Sequence, residues 1–129
     1  MSTITVTNIK ATGETASRPV SGVAAVWVNF DGNASTIATR DSVNVSGLTD
    51  VGTGLYTIAF TNNMGNGNYS FTGEAKEDES GGHSGTPDRF CKAARVAFAT
   101  SEAKVYCVNG SNVARDPDGV YCQIMGDLA

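Results

Sequence analysis

The sequence has little charge, a single histidine and no long apolar run, and each shortage closes a class of function. Charged residues make up 17% of the 129 and the net charge is −4. The basic residues (Lys10, Arg18, Arg40, Lys76, Arg89, Lys92, Arg95, Lys104 and Arg115) are scattered singly or in loose pairs. Neutralising phosphates needs clustered Lys and Arg, so no nucleic-acid partner is expected. No apolar stretch approaches the roughly 20 residues that cross a bilayer, so no membrane partner is expected either. The opening MSTITVTNIK lacks a basic segment followed by an apolar one, and no secretory signal is read from it. The chain is expected to be made in the cytosol and to stay soluble there unless lysis releases it.

Cysteine is also scarce: Cys91, Cys107 and Cys122 are all there is. An odd count without a CxxC pair argues against a disulfide framework and against a zinc knuckle. Cys107 and Cys122 each follow Val-Tyr, and if those two segments pair, their sulfurs face one another. The plainer reading is three buried thiols packed as small hydrophobes.

Reactive constellations are equally thin. His83 stands near Ser80 and Asp88, but all three fall in one Gly-Gly-His-Ser-Gly loop, a poor clamp for groups that must be held within hydrogen-bond reach. Glu77, Asp78 and Glu79 are consecutive, so extended backbone points them alternately, and the run lacks the alternation with a central glycine of a calcium loop. Cys91 lies beside Arg89 and Lys92, which would lower a thiol pKa if they faced it; burial at a strand entry is the simpler expectation. Asp31, Asp41, Asp50 and Glu74 show no spacing that selects a carboxylate pair for glycoside hydrolysis. The reading is a protein that is not an enzyme, with no catalytic residue, no cofactor and no metal.

What the sequence does have is alternation. Thr3 to Thr7, Ala24 to Phe30, Ile37 to Val45, Leu55 to Thr61, Asn68 to Ala75, Ala94 to Thr100, Lys104 to Asn109 and Val120 to Met125 each read as short strands rich in β-branched and aromatic residues. Val26, Val28 and Phe30 share one face with Trp27 opposite; Tyr56, Ile58 and Phe60 share another. Asp31-Gly32-Asn33, Asn63 to Asn68, Asn109 to Asn112 and Asp116-Pro117-Asp118-Gly119 carry the turn chemistry between them. The expectation is an all-β domain, an antiparallel β-sandwich or jelly-roll-like barrel of about eight short strands over 24–129. Residues 1–23 read as an N-terminal strand followed by an extended arm or linker. Residues 76–92 form the longest irregular stretch, a length usually tied to function or disorder.

Three segments together carry a resemblance. They are AVWVNFDG at 25–32, IATRDSVNVS at 37–46 and LTDVGTGLYT at 48–57. This series resembles a module of marine bacteriophage structural proteins, often described as tail-fibre-like. The likeness runs from about residue 24 to 75, and the closing Val120 to Asp127 is similar to the family's last strand; 76–92 does not align. The resemblance implies a place on a virion and offers no catalytic residues. With the module starting at residue 24, only one strand and the 10–23 linker are left for attachment. The expected role is therefore a small capsid decoration (cement) or head-fibre protein, assembled in the bacterial host cytoplasm. Its expected partners are itself, as a homotrimer, and the phage major capsid protein, with residues 1–23 lying on the lattice by strand addition. The alternative is a tail-fibre or appendage adhesin whose 76–92 and 109–119 loops contact a host surface glycan or receptor. A third reading, a cellular carbohydrate-binding module, predicts Trp27, Tyr106 or Tyr121 presenting a flat exposed platform.

Overall fold

Alternate side chains of the segment AAVWVNF face opposite sides of a strand, and three of them disappear from solvent: Val26, Val28 and Phe30 are buried while Trp27 and Asn29 are half-exposed. The computed structural model describes residues 5–9, 18–19, 24–76, 89–94 and 98–129. Within them ten strands form: β1 (Asn8–Ile9), β2 (Arg18–Pro19), β3 (Ala24–Phe30), β4 (Thr39–Val43), β5 (Val45–Gly52), β6 (Leu55–Phe60), β7 (Ser70–Lys76), β8 (Arg89–Ala93), β9 (Glu102–Asn109) and β10 (Gly119–Met125). Strands β1 and β2 pair with each other. The other eight make one sheet in the order β4-β3-β10-β7-β8-β9-β6-β5, with every neighbouring pair antiparallel. The run β10-β7-β8-β9 is a Greek key: three consecutive strands, with the fourth returning beside the first.

The sheet curls into a nearly closed barrel, one of the two closures the sequence allowed. Its two edge strands, β4 and β5, are consecutive in the chain and separated by Asn44 alone. Asn44 adopts a φ of 59°, the left-handed conformation that asparagine tolerates better than most residues. Its side chain holds the corner against the end of β6. Oδ1 accepts from the Asn62 backbone N–H at 2.7 Å and from Asn62 Nδ2 at 3.1 Å, and Nδ2 donates to the Asn62 carbonyl at 3.0 Å.

Inward residues of β3, β6, β9 and β10 fill the barrel. Phe30, Tyr56, Ile58, Val105, Cys107 and Val120 are entirely shielded, and Phe30 meets Tyr56 edge-on with ring centroids 5.2 Å apart. At one mouth Tyr69 stacks on Phe98 at 4.5 Å and crosses Phe60 at 6.2 Å. Aromatic pairs of this geometry add to area burial.

Two expectations change, and the open question of the Val-Tyr-Cys segments closes on the side of buried free thiols. Of the strand foreseen over 94–100, residues 95–97 lie outside the described residues and Ala94 and 98–100 are not in a strand; a strand does form at Arg89–Ala93, largely inside the stretch read as irregular, with Cys91 opposite Cys107, and Phe98 stacks on Tyr69. The strand foreseen over 3–7 is not formed at residues 5–7, and pairing begins at Asn8. The two Val-Tyr-Cys segments do not pair: β7 and β8 lie between β9 and β10.

Candidate functional site

The residues singled out for chemistry are dispersed. His83, Ser80, Asp88 and the acidic run Glu77 to Glu79 lie outside the described residues. Asp31 pairs with Arg40 at 2.9 Å and accepts the Asn33 N–H. Asp41 and Asp50 each accept a nearby backbone N–H, from Ser42 at 2.8 Å and Gly52 at 2.9 Å. These are turn-fixing contacts. Asp41 and Glu74 do share the outer face, but at opposite ends of the cross-strand row Asp41–Asn29–Tyr121–Glu74. Three strand spacings separate them by roughly 14 Å, beyond the ~5–9.5 Å that glycoside hydrolysis uses.

Cys91 points inward and is buried, and the groups that shift its thiol are Cys107 and Cys122, not its chain neighbours Arg89 and Lys92. Lys92 projects from the barrel, donating to Asn112 at 2.6 Å and resting over the Tyr106 ring. The three cysteines fall in one interior row. Cys107 is the cross-strand partner of Cys91, and Cys122 is the partner of Gly73 on the strand between. The Cys91 and Cys122 sulfurs lie 3.6 Å apart. A Cβ on Gly73 would come within 2.9 Å of the Cys91 sulfur, so the missing side chain is what lets the two thiols meet. The hydrogen bond with Cys107 favours the Cys91 thiolate, but the contact with Cys122 and burial together push the Cys91 thiol up. The hydrogen bond to Cys91 and burial push Cys107 up as well. All three are free thiols, and among the described residues no group of three or more His, Cys, Asp or Glu is placed to hold a metal ion. This row is a packing feature.

One end of the barrel is closed by a polar knot that sequence reading missed. The buried Tyr56 hydroxyl lies 2.9 Å from the Gly32 carbonyl and 2.9 Å from Asp116 Oδ1, which also accepts the Gly54 N–H at 2.6 Å. Gly54 has a φ of 69° and packs its bare Cα on the Cys107 carbonyl, which no other residue could do unstrained. The Asp-Gly step lies in the loop of the β3–β4 hairpin and presents Gly32 to this knot: its N–H donates to the Pro117 carbonyl at 2.9 Å. Burial, then the Asp116 hydrogen bond, pushes the Tyr56 phenol far up.

A groove of about 420 Å³ crosses β3, β10 and β7 on the outer surface. Two outward rows form it: Asn29–Tyr121–Glu74, and Trp27–Gln123–Thr72. Trp27, placed opposite the core face by the alternation of β3, is half-buried here, and Tyr121 is 39% exposed. Asn29 Oδ1 is shielded from solvent and has no hydrogen-bond partner within the protein. Tyr106, the third aromatic of the expected platform, lies elsewhere, on β9 under Lys92.

No helix is long and apolar enough to cross a membrane among the described residues. Comparison of the chain with protein-family models, with curated proteins and with solved structures gives no match.

Proposed function

We propose that the protein is a non-enzymatic surface component of a bacteriophage particle, a small capsid decoration or head-fibre protein. The support is the resemblance over residues 24–75, and one observation carries it: the motif residues hold the barrel together. AVWVNFDG supplies β3 and the Gly32 end of the polar knot; IATRDSVNVS supplies β4, the Asn44 corner and the start of β5; LTDVGTGLYT supplies the rest of β5, Gly54 and Tyr56. A sequence pattern spent on corners, turns and core is what a rigid building block requires. The edge strands β4 and β5 are largely solvent-exposed and offer unpaired ladder groups to a neighbouring subunit or capsid lattice. A homotrimer at local three-fold positions in contact with the major capsid protein completes the reading.

Cryo-electron microscopy of purified particles tests it. Density of this size repeating at capsid symmetry positions is the expected result, and absence from every particle overturns it. The adhesin reading is favoured by the outer groove with its half-buried Trp27, and density confined to the tail or its appendages would select it.

A further inference from the structure

We infer that the outer groove of β3, β10 and β7 binds a neutral saccharide. The class follows from the lining. Trp27 and Tyr121 sit on diagonal positions of adjacent strands and both line the groove, and an aromatic ring is the side chain suited to the apolar C–H face of a sugar. Gly119 keeps the Tyr121 ring in place: a Cβ there would come within 2.7 Å of the Tyr121 hydroxyl, so the ring lies across the bare glycine. Between and beside the rings stand Asn29, Gln123, Thr72 and Glu74. Each carboxamide presents a carbonyl acceptor beside an NH₂ donor, which matches a pair of neighbouring hydroxyls that both donate and accept.

Three other ligand chemistries fit worse. A purely apolar ligand would strip water from two carboxamides and a carboxylate without replacing their hydrogen bonds. An anionic ligand would meet Glu74 with no cation in the lining. A cation would find a single carboxylate at the edge of a groove whose remaining polar groups are neutral. The orphaned Asn29 Oδ1 adds an independent reason. A shielded acceptor without a partner is costly, and a ligand hydroxyl reached by rotation of the carboxamide supplies the missing donor. The groove volume of about 420 Å³ lies within the range of small-molecule sites and leaves room for one or two sugar rings.

The groove stands on its own geometry; only its use as a host-glycan contact rests on the virion reading. Trp27 is the single tryptophan of the chain, so intrinsic fluorescence reports on this groove directly. The probes are the methyl glycosides of glucose, galactose, mannose and N-acetylglucosamine and their short oligomers. They are titrated into the full chain with fluorescence and amide NMR as readouts. The expected result is a saturable change in Trp27 emission with shifts confined to the three groove strands. Tyr121→Ala and Gln123→Ala, both at exposed positions, should each weaken binding roughly tenfold while the circular dichroism spectrum is kept.

Absence of a saturable response to every probe overturns the inference, as do shifts lying elsewhere on the barrel. A groove whose resonances move on dilution without sugar, together with a dimer or larger species in light scattering, assigns the face to a second copy of the chain and overturns it equally. Binding by a protein absent from particles would remove the virion reading and leave the groove. Density on particles without sugar binding would do the reverse.

Discussion

The sulfurs of Cys91 and Cys122 meet 3.6 Å apart across a strand that separates them, over the bare Cα of Gly73. Two ladder spacings put their backbones roughly 9–10 Å apart, beyond the ~4.4–6.8 Å between Cα atoms that a disulfide spans. Proximity of the sulfurs therefore does not make a bond accessible. Both thiols are buried, as is Cys107, and burial helps hold Cys91 and Cys107 protonated. The native protein should show no thiol reactive toward a chromogenic disulfide reagent, and three in denaturant. The mass should be unchanged after incubation with oxidised glutathione. A rapidly reacting thiol in the folded state would contradict the interior row.

Gly73→Ala tests the same row from the other side. The new methyl would sit 2.7 Å from the Phe71 ring and 2.9 Å from the Cys91 sulfur. Overpacking of this kind costs about 1–3 kcal/mol. The midpoint of urea unfolding should fall accordingly. Gly73→Ala combined with Cys91→Ala should recover part of the loss, since the sulfur is one of the two obstacles; a double variant no better than the single would place the strain wholly on Phe71.

How much of this was legible in the sequence depends on the reach of each interaction. The inward faces of β3, β6 and β7 follow from period-2 alternation, a local property, and the structure keeps them. The Asp31-Gly32 cue did mark the β3–β4 hairpin, but the shape of its loop and the place of Phe98 are decided by distant partners. Gly32 is taken by Tyr56 and Pro117, and Phe98 by Tyr69. Cys91 entered a strand because Cys107 faces it, a pairing no local window contains. The groove was half visible: Trp27 was correctly placed opposite the core face, but Asn29 and Gln123 join it only through the register of β10 against β3 and β7.

Asn44 turns the chain from one edge of the sheet to the other, and its two contributions can be separated. Asn44→Ala keeps the left-handed φ but pays its steric cost and loses the side-chain bonds to Asn62. Together these should amount to about 2 kcal/mol of stability. Asn44→Gly removes only the bonds and should lose about half as much. Equal losses in chemical denaturation would mean that the backbone conformation contributes nothing at this corner.

Tyr56 and the alkaline limit of stability form the last test. Tyr56 and Tyr69 ordinarily titrate at 10.0, and Cys91 and Cys107 at 9.0; the fold raises all four. Tyr69 is pushed up to about 12, by burial first and then by the Glu102 charge. In the unfolded chain these groups release protons near their ordinary values while the folded chain retains them. Their contribution is therefore fully present at neutral pH and is lost as the pH rises, from about 9 for the thiols and 10 for the phenols. Each group adds a slope of about 1.4 kcal/mol per pH unit once its unfolded form ionises. Tyr56→Phe should cost about 1–2 kcal/mol at pH 7, because the Gly32 carbonyl loses its phenol donor inside the barrel. Above pH 10 the same variant should lose stability less steeply than the parent, by one group's slope, and the two curves should converge. Parallel curves across that range would show that the Tyr56 hydroxyl is not held protonated by the Asp116 knot.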